Sequence, residues 1–130
     1  MVIDKAVLDN LTAQAQASPR LRMNLDLRNS AEDTSQRMLN AIEPGSVVPV
    51  HRHQKTSETL VVLRGRVVEE YYSSEGVVEE CIELVVGGPI CVLNIPAGQW
   101  HTICSLESGT VVLAMKDGAY EPVHECDILR

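Results

Sequence analysis

The sequence has no phenylalanine, one tryptophan and three tyrosines. A core built on large aromatic rings is therefore excluded, and Val, Leu, Ile, Met and Cys are expected to fill the interior. Basic residues are also in deficit, with 11 Lys and Arg against 18 Asp and Glu, a formal net charge of −7 and a pI near 5.0. Nucleic acids and anionic membranes are bound through clustered positive charge, so both are excluded as expected partners. What remains is a small soluble ligand. No apolar run approaches the roughly 18 residues of a membrane span, and Met1 to Lys5 lacks the basic start and apolar stretch of a signal peptide. A cytoplasmic protein is expected. Cys81, Cys91, Cys104 and Cys126 are scattered rather than paired, and the first three, in apolar strand-like runs, read as buried free thiols.

The 130 residues suit one domain, with no repeat or low-complexity tract to divide them. Ile3, Val7, Leu8 and Leu11 recur at helical spacing until Ser18-Pro19 closes the pattern, so residues 1–19 are expected to form a helix and lead-in. From Arg20 the period becomes two, with Leu21, Met23, Leu25 and Leu27 alternating with polar residues as in a half-buried strand. Asn29 to Gln36 reads as a loop and Arg37 to Ile42 as a strand ending at Glu43-Pro44-Gly45. Further strands are expected at 47–53, 58–64, 66–72, 77–86, 90–95, 99–106 and 110–116, separated by Gly- and Pro-containing turns. Many short strands and one early helix predict an all-β fold with an N-terminal α-helix, an antiparallel jelly-roll barrel over residues 20–122. Residues 123–130 read as a solvated or swapped tail, where His124 and Cys126 leave open a second metal pair.

The stretch from Gly45 to Gly65 concentrates the chemistry. An extended backbone sends alternate side chains to one face, so His51 and His53 point together, and Glu58 opens the next strand within reach. His101, after Pro96-Ala97-Gly98, supplies a fourth ligand. Imidazole nitrogens and a carboxylate suit borderline divalent ions, and four protein ligands leave one or two positions open on a six-coordinate ion. The competing reading is a set of satisfied polar residues at a barrel rim. Without a cation, such a cluster would lose hydration for poor hydrogen bonds.

These residues resemble the cupins. The first cupin motif, G-x5-H-x-H-x4-E-x6-G, is matched at every fixed position by Gly45, His51, His53, Glu58 and Gly65. The second, G-x5-P-x-G-x2-H-x3-N, is matched by Pro96, Gly98 and His101, with Ile90 and Ser105 at its first and last positions. More narrowly, the chain is similar to the WbuC-type cupin-fold metalloproteins of surface-polysaccharide gene clusters. That likeness runs through the helix, residues 18–24, Arg37-Met38-Leu39-Asn40, the metal motifs and Lys116-Asp117-Gly118-Ala119-Tyr120. It implies a single-domain, metal-binding cupin of O-antigen or related sugar metabolism.

The expected cofactor is one divalent transition metal, such as Fe, Mn, Zn or Ni, held by His51, His53, Glu58 and His101. Arg20, Arg22 and Asn24 on one strand face, with Arg37, Asn40 and Arg64 on neighbouring strands, are expected to bind a carboxylate, phosphate or sugar hydroxyls. An ordinary solvated face competes with that reading. Tyr71, Tyr72 and Glu43 are the groups available as general base, and Trp100, next to a ligand, should face away from the site. The function expected is a metal-dependent isomerase, epimerase or dioxygenase acting on a small polar metabolite, a sugar or nucleotide sugar. A non-catalytic binding or regulatory module is the alternative. Homodimerisation is expected through an edge strand or the helix.

Overall fold

Asp4 accepts a hydrogen bond from the Val7 amide at 3.1 Å and so caps α1, Lys5–Ala17, in a computed structural model that describes residues 1–130. The helix stops at Ser18, which precedes a proline and is extended. Its apolar stripe buries Leu11 and Ala15 against Leu39, Ala41 and Val111. The first strand, β1, runs Arg22–Asp26 rather than starting at Arg20, because Leu21 sits at φ +55° and breaks the extended run.

Seven strands follow: β2 Ser35–Ile42, β3 Glu58–Arg64, β4 Arg66–Tyr72, β5 Val78–Val85, β6 Val92–Ile95, β7 Trp100–Ser105 and β8 Val111–Asp117. They form a five-stranded sheet in the order β1-β2-β8-β3-β6 and a three-stranded sheet in the order β5-β4-β7. Every pairing is antiparallel. Ile42, Leu60, Val62 and Val112 of the first sheet pack on Val67 and Leu84 of the second, closing one end of the jelly roll. Gly65 makes the tight turn between β3 and β4 at φ +82°, where an added Cβ would lie 2.8 Å from Thr110 Cα. No helix is long and apolar enough to cross a membrane.

Three expectations are corrected. Residues 47–53 form no strand: Pro49 lacks an amide donor, and only His51 is bridged, to His101 on one side and Ile128 on the other. Residues 123–130 are solvated only in part: 123–126 and 130 are exposed, but a 3-10 turn at Glu125–Asp127 packs Asp127 against the His51–His53 segment. Cys81 and Cys91 are exposed and Cys104 is half-buried, because β5 and β7, which carry Cys81 and Cys104, are the edges of the three-stranded sheet, and Cys91 precedes β6, an edge of the five-stranded one. The buried core is accordingly Val, Leu, Ile and Ala, without Met or Cys.

Candidate metal centre

His51 and His101 are joined by a pair of backbone hydrogen bonds, 3.0 Å and 2.8 Å, that tie the first motif to strand β7. The segment carrying His51 and His53 is held from its other side by the C-terminus. The Arg52 amide donates to the Asp127 carbonyl at 3.0 Å and the Leu129 amide to Val50 at 2.8 Å. The Asp127 carboxylate accepts from Arg52 Nε at 2.9 Å and from Gln54 Nε2 at 2.6 Å. Arg52 in turn lies 4.5 Å from the Trp100 ring centre, so Trp100 faces away from the imidazoles as alternation requires. Extended backbone is therefore imposed on residues 50–53 by neighbours rather than by a ladder of their own.

His51, His53 and His101 converge so that their ligand-type atoms all lie within 4.8 Å of one another. His51 Nδ1 is 2.8 Å from the Pro49 carbonyl, and His101 Nδ1 is 2.8 Å from that of Gln99. A carbonyl only accepts, so each Nδ1 carries the proton and donates, leaving both Nε2 lone pairs free. Burial, then the neighbouring His101 charge, lowers the His51 pKa to about 4, and burial also lowers that of His101. Neutral imidazoles with oriented lone pairs are what a transition-metal ion requires. Glu58 Oε2 lies 3.2 Å from His53 Nε2 and 3.9 Å from His101 Nε2. Burial opposes ionisation of Glu58, but the bond from His53 and the charges of His101 and Lys116 outweigh it and hold the carboxyl below its ordinary value. A carboxylate thus stands beside His53 and His101, next to the three-histidine cluster that could hold one ion.

That cavity, about 230 Å³, opens between the sheets and is lined by the three histidines, Glu58, Arg22, Asn40 and an apolar wall that includes Met38, Leu60 and Met115. Of the six residues expected to bind substrate, Arg22 and Asn40 reach it. Asn24 is exposed at the edge of β1, and Arg20 is exposed in the lead-in. Arg37 turns outward to Asp33, and Arg64 is taken up by Asp9, Thr12 and the Gly109 carbonyl. Glu43 is held away from the cavity by Ser108, the Gly109 amide and Gln16.

Two groups in the cavity escaped the sequence reading. Glu69, in the middle of β4, is only 2% exposed and lines the cavity. Burial, then the charges of Glu58 and Glu70, push its carboxyl well above the ordinary range. Lys116 also reaches the cavity from β8, where it pairs in register with Glu58. Strand parity was the available signal: Val67 and Glu69 share a face, so an inward Val67 implies an inward Glu69.

Residues 3–84 match the family described as Domain of unknown function (DUF6016), and the chain belongs to that family. No curated protein matches the sequence. Among solved structures, the capsular polysaccharide assembling protein CapF from Staphylococcus aureus is 22% identical with a TM-score of 0.65, over 85% of this chain and 32% of CapF. Oxalate oxidase in complex with the substrate analogue glycolate is 15% identical with a TM-score of 0.66, over 84% of this chain and 57% of that one. A cupin 2 domain-containing protein from Halorhodospira halophila is 16% identical with a TM-score of 0.61, over 79% and 68% of the two chains. The chain thus has the cupin fold, and spans about a third of the CapF chain.

Proposed function

We propose that this member of the DUF6016 family is a mononuclear metal enzyme, with His51, His53, Glu58 and His101 as ligands, that moves a proton on a small polar metabolite. The observation that carries the reading is Glu69, a carboxyl residue only 2% exposed on the wall of the cavity that the three imidazoles face. The ion, when bound, supplies Lewis-acid polarisation of a substrate oxygen. Glu69 takes a proton from carbon beside that oxygen and returns it, which is the requirement of an isomerase or epimerase. A carboxyl raised by burial is a stronger base than an exposed one, which suits it to take up the proton and hold it until its return.

The size of the cavity, about 230 Å³, lies below the roughly 300–1,000 Å³ of pockets for drug-sized ligands. It favours a single sugar or sugar-derived unit over a nucleotide sugar. The similarity to CapF supports a place in surface-polysaccharide metabolism, in keeping with the WbuC-like motifs. A cytoplasmic homodimer completes the proposal, with the open edge strands as its interface. Val78, Ile90 and Val92, on or beside β5 and β6, are 46%, 41% and 49% exposed.

The test is deuterium exchange. Metal-loaded protein is incubated in D2O with a panel of small hydroxy-carbonyl compounds, and substrate C–H signals are followed by NMR. Exchange that disappears in Glu69→Gln, while metal content is unchanged, is the expected result. Oxygen consumption by an iron-loaded sample without C–H exchange would overturn the proton-transfer reading in favour of a dioxygenase. Tight ligand binding with neither exchange nor oxygen uptake would favour a binding module.

A further inference from the structure

A second cavity, about 410 Å³, adjoins the metal cavity and lies within the roughly 300–1,000 Å³ of ligand pockets. Gln36, His53 and Lys116 line both, so the two chambers meet at those side chains. The far wall of the outer chamber is one continuous stretch of chain. Every residue of 118–124 except Tyr120 lines it, and Tyr120 lines the inner chamber. That stretch is fixed at both ends. The Gly118 amide donates to the Thr34 carbonyl at 2.8 Å, and the Gly118 carbonyl accepts from Gln36 Nε2 at 2.8 Å. Beyond His124, the Asp127 carboxylate accepts from Arg52 and Gln54, on either side of His53. The outer cavity is therefore a built chamber that continues the inner one.

The two linings differ in chemistry. The inner one has its apolar wall, whereas the outer one is polar except at Gly118, Ala119, Pro122 and Val123. No Tyr or Trp ring lines the outer chamber, so a nucleotide base has nothing to stack on. Its Arg52 is paired with Asp127 at 2.9 Å, and Asp117 and Glu121 share the lining with Lys55 and Lys116, which is a balance of charge unlike that of a phosphate site. Thr56 offers a hydroxyl that both donates and accepts. Gln36 and Gln54, each with its amide nitrogen bonded to the protein, offer carbonyl oxygens. Mixed donors and acceptors of this kind suit neutral hydroxyl groups. We infer that the substrate is a chain of at least two sugar units, with the reducing-end unit in the metal cavity and the next unit in the outer chamber. The inference rests on the metal-site reading above and adds the chemical class of the substrate. A glycosidic bond locks the ring whose anomeric carbon it uses, so only the reducing end opens to the carbonyl that an isomerase needs. That end belongs beside the ion.

Calorimetric titration of the full chain, metal-free and zinc-loaded, with matched sugars tests this. The pairs are glucose and cellobiose, mannose and mannobiose, and N-acetylglucosamine and diacetylchitobiose. In at least one pair the disaccharide should bind at least about tenfold tighter, the gain expected from a few added hydrogen bonds. Thr56 and Ala119 line the outer chamber and not the inner one. Filling that chamber with Thr56→Trp, or independently with Ala119→Trp, should bring the two affinities of that pair to within about twofold. Disaccharides that bind no tighter than monosaccharides in every pair, or a preference untouched by both substitutions, would overturn the inference. UDP-glucose binding tighter than every disaccharide would overturn the assignment of the outer chamber to a sugar. A disaccharide preference in protein that takes up no zinc would remove the metal reading and leave this one standing. Deuterium exchange into monosaccharides without a disaccharide preference would do the reverse.

Discussion

Acid should destabilise the metal-free protein through His51 in a way that one substitution removes. In the unfolded chain this imidazole has its ordinary pKa of 6.5, whereas in the folded protein burial lowers it to about 4. As pH falls below 6.5, the unfolded chain takes up a proton that the folded protein refuses, so stability is lost across the window from 6.5 to about 4. The lost stability at about pH 5 is roughly 2 kcal/mol, and it levels near 3 kcal/mol below about pH 4. His101, also lowered by burial, adds to the decline.

The other groups of the cavity act in different directions. Glu58, held below its ordinary value, contributes stability that is lost only at lower pH, as its folded pKa is crossed. Glu69, raised above it, gains stability as pH falls. Comparing the protein with His51→Gln cancels these contributions. Urea unfolding of chelator-treated samples at about pH 7.5 and 5 should show a loss roughly 2 kcal/mol smaller in the variant. Equal losses in the two proteins would refute the assignment of His51 as a buried, neutral imidazole with its Nε2 lone pair available.

Glu69→Gln should raise stability at neutral pH, because the native carboxyl holds its proton into a range where the unfolded chain has lost it; urea titrations at about pH 5 and 8 should show the gain growing with pH. Asp127→Asn should lower zinc affinity about tenfold, the scale of lost outer support, by loosening Arg52 and Gln54 beside the two histidines. Chelator competition measures the loss, and Trp100 fluorescence should change with it through the Arg52 stack. Gly65→Ala should destabilise by about 2 kcal/mol or more in urea unfolding, combining a strained φ of +82° with a clash at Thr110.

What could be read from the sequence divides along physical lines. Strands β2, β3, β4, β7 and β8 announce themselves by alternation and by glycine turns, since a half-buried strand must be apolar at every second position. The convergence of His51, His53 and His101 was legible because two short motifs carry it. The extended form of residues 50–53 was legible in outcome and not in cause. It depends on Asp127 and Leu129, some 75 residues away in sequence, which form no local pattern with it.

Glu69 and Lys116 were hidden for the opposite reason. Each is a charged residue within a strand, and composition assigns such residues to solvent unless something shows that their face is inward. For Glu69 the deciding neighbours are Val67, fully buried two residues before it, and Ile103, its register partner on β7. For Lys116 it is Glu58 across β3. A charge placed on the inward face of a barrel strand, in a chain that could have placed Val there, is unfavourable for folding by itself. That two such residues line the cavity faced by the three imidazoles argues that this face is built for a ligand and not for packing.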